Sequence, residues 1–122
     1  MSRNPEDLSP EMQPLYAKWA EGMKEADIDY ILTCTKRTQA EQEALYAQGR
    51  TTPGHIVTWT LNSKHLTGDA FDFVIMWNGK PDWQMVHADE WHTAVTIGNA
   101  LGLTQVIGSD GRVKEYAHLQ IG

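Results

Sequence analysis

The chain has 122 residues, 41% apolar and 21% charged, with a formal net charge of −6. Those values exclude a collagen-like repeat, a coiled-coil rod and a disordered chain, and they predict one domain over residues 1–122 that buries roughly two-thirds of its unfolded surface. Ten Lys plus Arg against sixteen Asp plus Glu argue against a protein that works by contacting phosphates, so no nucleic-acid partner is expected.

Cys34 is the only cysteine, so no internal disulfide can form. The opening run Met1-Ser2-Arg3-Asn4-Pro5-Glu6-Asp7 lacks the basic start and apolar stretch of a signal peptide. No run reaches the ~18 apolar residues of a membrane span. The expectation is a protein made in the cytosol, with no membrane partner, that reaches any outer site by another route.

Residues 9–26 read as a helix: Ser9-Pro10-Glu11 supplies a cap, a first-turn proline and an early acid. Met12, Leu15, Trp19 and Met23 recur at three- and four-residue spacing and predict one buried face. Residues 30–35, β-branched and apolar, predict a short buried strand with Cys34 in the core. Thr38 with Glu41 three residues later is a capping-box pattern, opening a helix that stops at Gly49. Residues 50–69 carry turn signals and read as loop. Residues 70–77 read as a central strand with Phe71, Phe73 and Ile75 on one face, and Asn78-Gly79 as a tight hairpin turn. Residues 88–101 predict a second long helix burying Trp91, Val95, Ala94 and Leu101. Residues 103–107 and 115–121 predict two short strands joined at Ser109-Asp110-Gly111. Without a regular βαβ alternation, the fold class is α+β: helices packed on a mostly antiparallel sheet.

The chemistry-bearing residues concentrate in two places. Asp72 lies inside the most apolar strand, where a carboxylate is costly unless paired or bound to a metal. His65 lies seven residues upstream across Gly68, and the two make a plausible half of a zinc site. The alternative is that Asp72 pairs with Arg37 and His65 is an exposed loop residue. Glu115-Tyr116-Ala117-His118 offers a second half, with His118 a third ligand and Glu115 a carboxylate that takes a proton from water. The alternative there is a strand end with two exposed polar side chains. His87 and His92 nearly match an inverted zinc-protease pattern, but five residues on a helix place them about 140° apart, so they cannot share a metal. His55, after a Pro-Gly turn, is expected to be exposed. Arg37, between a strand and a helix cap, is suited to clamp a substrate carbonyl or stabilise developing negative charge, or simply to pair with Glu41 or Asp72.

Taken in order, these motifs resemble a known family. An Arg-Thr step follows a strand; then come Glu41-Gln42-x-x-Leu45-Tyr46-x-x-Gly49-Arg50-Thr51-x-Pro53-Gly54, Ser63-x-His65-x-x-Gly68-x-Ala70-x-Asp72, and Glu115-x-x-His118. The set resembles the zinc D-Ala-D-Ala carboxypeptidase and L-alanyl-D-glutamate endopeptidase family, and within it the single-domain phage endolysins. It departs from the family at Lys36, where an aromatic is usual, and at Ala117, where proline is usual.

The resemblance implies one zinc ion per chain held by His65, Asp72 and His118. It implies Glu115 as catalytic base, Arg37 as the oxyanion and substrate contact, and Ser63 as a further substrate contact. The implied substrate is the peptidoglycan stem peptide, cut between L-Ala and D-Glu by a monomer with no separate wall-binding domain, during lysis of a host bacterium after release through a holin-like pore. D-Ala-D-Ala carboxypeptidase or dipeptidase activity, or a non-catalytic zinc-binding wall module on the same fold, are the alternatives.

Overall fold

The computed structural model describes residues 1–107, 110–113 and 116–122. Among the described residues, three α-helices, α1 (Met12–Glu25), α2 (Gln39–Ala47) and α3 (Ala88–Ala100), accompany five strands. The strands are β1 (Asp29–Cys34), β2 (Ala70–Trp77), β3 (Lys80–Pro81), β4 (Leu103–Thr104) and β5 (His118–Ile121). They form one antiparallel sheet in the order β1-β2-β5-β4, with β3 pairing the far end of β2. The α+β class expected from the sequence is the class found.

Strand β2 is the organising element. Phe71, Phe73 and Ile75 are fully buried, and so are Ala70 and Val74 on the other face, which is why this segment reads as nearly continuous apolar sequence. Asn78 and Gly79 both take positive φ, 51° and 75°, as a two-residue hairpin of the primed type requires. Helix α1 lays Met12, Trp19 and Met23 onto the sheet. Trp19 packs tilted against Phe71 and Phe73 at ring separations of 4.9 and 5.0 Å, and its indole Nε1 donates to the Ala94 carbonyl at 2.9 Å. One side chain thus joins α1, β2 and α3. Trp19→Ala removes those ring contacts and the indole hydrogen bond and leaves a cavity between α1, β2 and α3, so it is expected to destabilise by about 3–5 kcal/mol. Denaturant unfolding followed by circular dichroism measures this.

Several boundaries and inward positions differ from expectation. Helix α1 begins at Met12 with Glu11 at the N-cap position, rather than at residue 9; the Ser9 hydroxyl still accepts from the Met12 amide at 3.1 Å. In α3, Trp91 and Ala94 are buried, but Val95 is only half-buried and the third inward position is Gly98. A Cβ at Gly98 would stand 2.8 Å from Leu119, so α3 approaches β5 where no side chain intervenes. The strand expected over 103–107 shortens to Leu103–Thr104. The strand expected over 115–121 is described from His118 onward; Ser109 of the predicted turn lies outside the described residues. The predicted capping box is present, with Thr38 and Glu41 exchanging both bonds. Among the described residues, no helix is long and apolar enough to cross a membrane.

Candidate metal and catalytic site

The sheet register aligns the centre of the site. Across β1 and β2, Cys34 is the partner of Asp72; across β2 and β5, Asp72 is the partner of His118. Directly opposed residues of antiparallel strands share a face, so these three side chains form a row over three strands. A bulge between Leu32 and Cys34 brings Cys34 into that row.

His65 arrives from outside the sheet, on a single 3₁₀ turn (Lys64–Leu66). The Ser63 hydroxyl caps that turn by accepting from the His65 amide at 3.2 Å. The His65 carbonyl accepts from the Arg37 amide at 3.0 Å. Gly68 lets the chain turn back toward β2: its φ is +78°, and a Cβ there would lie 2.7 Å from the Ser9 amide nitrogen. Any L side chain at this position is excluded twice, by conformation and by space.

Two imidazoles converge on one carboxylate oxygen. His65 Nε2 lies 3.0 Å and His118 Nδ1 2.9 Å from Asp72 Oδ1. Both rings are buried and Asp72 is half-buried. The readings of His65 as an exposed loop residue and of His118 as an exposed strand end are therefore overturned: the long-range pairing of β2 with β5 draws both rings inward. Arg37 is also near, with Nη2 3.9 Å from Asp72 Oδ2, so the ordinary ion pair and the His/Asp cluster coexist. Its guanidinium does not engage Glu41, whose carboxylate instead binds the N-terminal ammonium and the Thr38 amide.

Electrostatics follow from this crowding. Burial works to lower the pKa of His65, but interaction with the Asp72 carboxylate and with Cys34 outweighs it and raises the imidazole to about 9. Burial likewise works to raise Asp72, and the hydrogen bonds and charges of His118 and His65 outweigh it, holding the carboxyl well below the usual carboxylate range. The sign for the metal-free protein follows. A raised His65 pKa contributes stability that is complete below its ordinary value of 6.5 and lost as pH rises through about 9. Because metal ligation needs neutral imidazole, metal uptake between those values should release protons. A pH-stat or unbuffered-dye titration of chelator-stripped protein with Zn²⁺ at pH 7.5 checks this, the expectation being a measurable proton release that falls away above pH 9.

The donor set fits a divalent metal. His118 Nε2 lies 2.8 Å from Gln120 Oε1, a contact that calls for a proton on Nε2. Among the described residues, His65 Nδ1 is buried without a hydrogen-bond partner. Two imidazole nitrogens and one carboxylate oxygen are donor types suited to zinc. Among the described residues, Cys34, His65 and Asp72 also form a metal-capable group, with donor atoms all within 4.8 Å of one another.

The cluster lies in a cavity of about 720 Å³ that Arg37, Ser63, Trp59 and Trp83 also line. Glu115 lies outside the described residues. His55 and His92 are exposed; His87 stands at the start of α3 and stacks on Trp77 at 3.9 Å. Sequence reasoning missed three contributors: Cys34, taken for a core residue alone; Gln120, which contacts the His118 ring; and Gln42, which contacts Arg37. The first two depend on strand register, which no local pattern reveals. The third had a signal, a polar residue on the inner face of a helix.

A family model described as phage L-alanyl-D-glutamate peptidase matches residues 3–115. The chain is 32% identical over 124 residues to the peptidoglycan L-alanyl-D-glutamate endopeptidase CwlK of Bacillus subtilis (strain 168), an alignment covering 91% of this chain and 74% of that protein. Among solved structures, the Serratia marcescens L-Ala D-Glu endopeptidase ChiX superposes with a TM-score of 0.68 at 20% identity, covering 98% of this chain and 84% of that one. At that identity the likeness bears on the fold.

Proposed function

Because the chain belongs to the phage L-alanyl-D-glutamate peptidase family, we propose that it is a zinc peptidase hydrolysing the L-Ala–D-Glu amide of the peptidoglycan stem peptide. The observation that carries the chemistry is the convergence of His65 Nε2 and His118 Nδ1 on Asp72 Oδ1 within the cavity. The choice of bond is supported by the family description and by the relative CwlK.

His65, Asp72 and His118 would hold the ion. Bound there, Zn²⁺ would supply a Lewis acid for the scissile carbonyl and lower the pKa of an attacking water. Glu115 would take the proton of that water and return it to the leaving D-Glu amine. The Arg37 guanidinium, turned toward Asp72, would face the charge that builds on the carbonyl oxygen. The Ser63 hydroxyl accepts from the His65 amide and keeps its own proton for a substrate carbonyl or carboxylate. The setting proposed is phage-directed lysis of a host bacterium, the enzyme reaching the wall through a holin-like pore and acting as a monomer.

The test is mass spectrometry of purified peptidoglycan after incubation with the protein, with and without a chelator. Chelator-sensitive fragments that begin with D-Glu are the expected result. Release of free D-Ala or D-Ala-D-Ala alone would replace the endopeptidase reading by the carboxypeptidase one. No new fragment from folded, metal-loaded protein would overturn the peptidase reading.

A further inference from the structure

We propose that Gln42 is a positioning residue that acts through Arg37, coupling its guanidinium to the loop that walls the substrate cavity; this rests on the reading of Arg37 given above. Gln42 lies on α2, is fully buried, and uses both ends of its amide. Its Oε1 accepts from Arg37 Nη1 at 2.7 Å. Its Nε2 donates to the Thr60 carbonyl at 2.6 Å and reaches Thr58 Oγ1 at 3.4 Å. Thr58, Trp59 and Thr60 line the cavity beside Arg37 and the His/Asp cluster. A buried amide is costly unless both its donor and its acceptor are satisfied. Here that requirement ties a catalytic side chain to a stretch of loop that lies eighteen residues beyond Gln42 in sequence.

The consequence for Arg37 is orientational. With Nη1 held by Gln42, the Nη2 edge is the one left facing Cys34, at 3.6 Å, and Asp72, at 3.9 Å. Without the Gln42 oxygen, the guanidinium keeps only weak sulfur contacts, from Nε to Met1 Sδ at 3.1 Å and from Nη2 to Cys34, and can swing into a closer pair with Asp72, which removes it from the substrate. The loop is held from its other side by Arg50, whose two terminal nitrogens each lie 3.3 Å from the Thr58 carbonyl. That guanidinium also stacks over the Tyr46 ring at 3.9 Å. The loop therefore keeps one anchor when Gln42 is replaced, and the effect at Arg37 can be read separately.

Two substitutions divide the amide's two duties. Gln42→Met keeps the length and removes both partners. Gln42→Glu keeps an acceptor for Arg37 and removes the donor to Thr60. Steady-state kinetics on a synthetic stem peptide containing L-Ala-D-Glu, with bound metal quantified by mass spectrometry, separates them. Gln42→Met is expected to lower kcat about 10- to 100-fold, as misplacing one charge-stabilising donor does, with metal content unchanged. Gln42→Glu is expected to hold kcat within about threefold and to raise KM severalfold, because the wall is loosened while Arg37 stays oriented.

The decisive measurement is a double-mutant cycle. In an Arg37→Ala background, Gln42→Met should change kcat less than about threefold, since the group it orients is gone. A full, additive loss in that background overturns the coupling, as does a kcat loss in Gln42→Glu equal to that in Gln42→Met. Should Gln42→Met not fold, the Gln42→Glu substitution alone and combined with Arg37→Ala still decides, through the kcat and KM split. An Arg37→Ala protein with unchanged kcat would instead overturn the reading of Arg37 itself, an outcome distinct from an additive cycle.

Discussion

Asp72→Ala is expected to abolish metal binding and to lower kcat/KM by more than about 10⁴-fold. The carboxylate oxygen is the point on which both imidazoles converge. On the proposed reading, its loss would remove one of three ligands and the negative charge that favours a dication beside two imidazoles. Without the ion the site would lose both the Lewis acid for the carbonyl and the lowering of the water pKa that would make a nucleophile available at neutral pH. The same change leaves two buried imidazoles without their shared acceptor, which costs about 3–5 kcal/mol when a buried pair is broken. Asp72→Asn preserves shape and separates the effects: it should fold with a smaller penalty yet still bind metal poorly, since a neutral amide is a weak ligand. Metal content after gel filtration, with the hydrolytic rate on the same sample, decides. Full metal content with full rate in either variant would remove Asp72 from the site.

Glu115→Gln is expected to show the opposite pairing: metal retained and kcat lowered by about 10²- to 10⁴-fold, the usual contribution of a positioned general base. The substitution keeps size and hydrogen bonding but removes the capacity to hold a proton from water. The discriminating readout is again the pair of numbers. Loss of metal together with activity would make Glu115 a ligand; a full rate with metal bound would leave the proton transfer to another group. The pH profile adds a second check, because removing the base should flatten the acidic limb of kcat/KM in the variant that still turns over.

Local chemistry made much of the fold legible from the residues alone. Strand β2 falls on residues 70–77 as expected because an apolar run broken only by Asp72 and bounded by Gly68-Asp69 and Asn78-Gly79 admits little else. The capping box at Thr38 and Glu41, the αL turn at Asn78-Gly79 and the Met12/Trp19/Met23 face of α1 are likewise decided within a few residues. The Ser63–Asp72 run was legible for a related reason: a carboxylate in an apolar strand needs a partner, and a histidine was near enough to serve.

What only the tertiary structure decided involves residues far apart in the chain. The row Cys34, Asp72 and His118 exists because β1 and β5 pair with opposite edges of β2 in one register, and a shift by one residue would turn each side chain to the other face. The inward position of Gly98 in place of Val95 depends on where Leu119 packs, which helical periodicity in α3 does not contain. Gln42 looks like an ordinary polar residue of a short helix until the loop at Thr58 and Thr60 folds over it. Propensity, capping and turn chemistry are short-range and can be read along the chain; register, close approach and the pairing of a buried amide are set by contacts that exist only once the sheet and its loops have closed on one another.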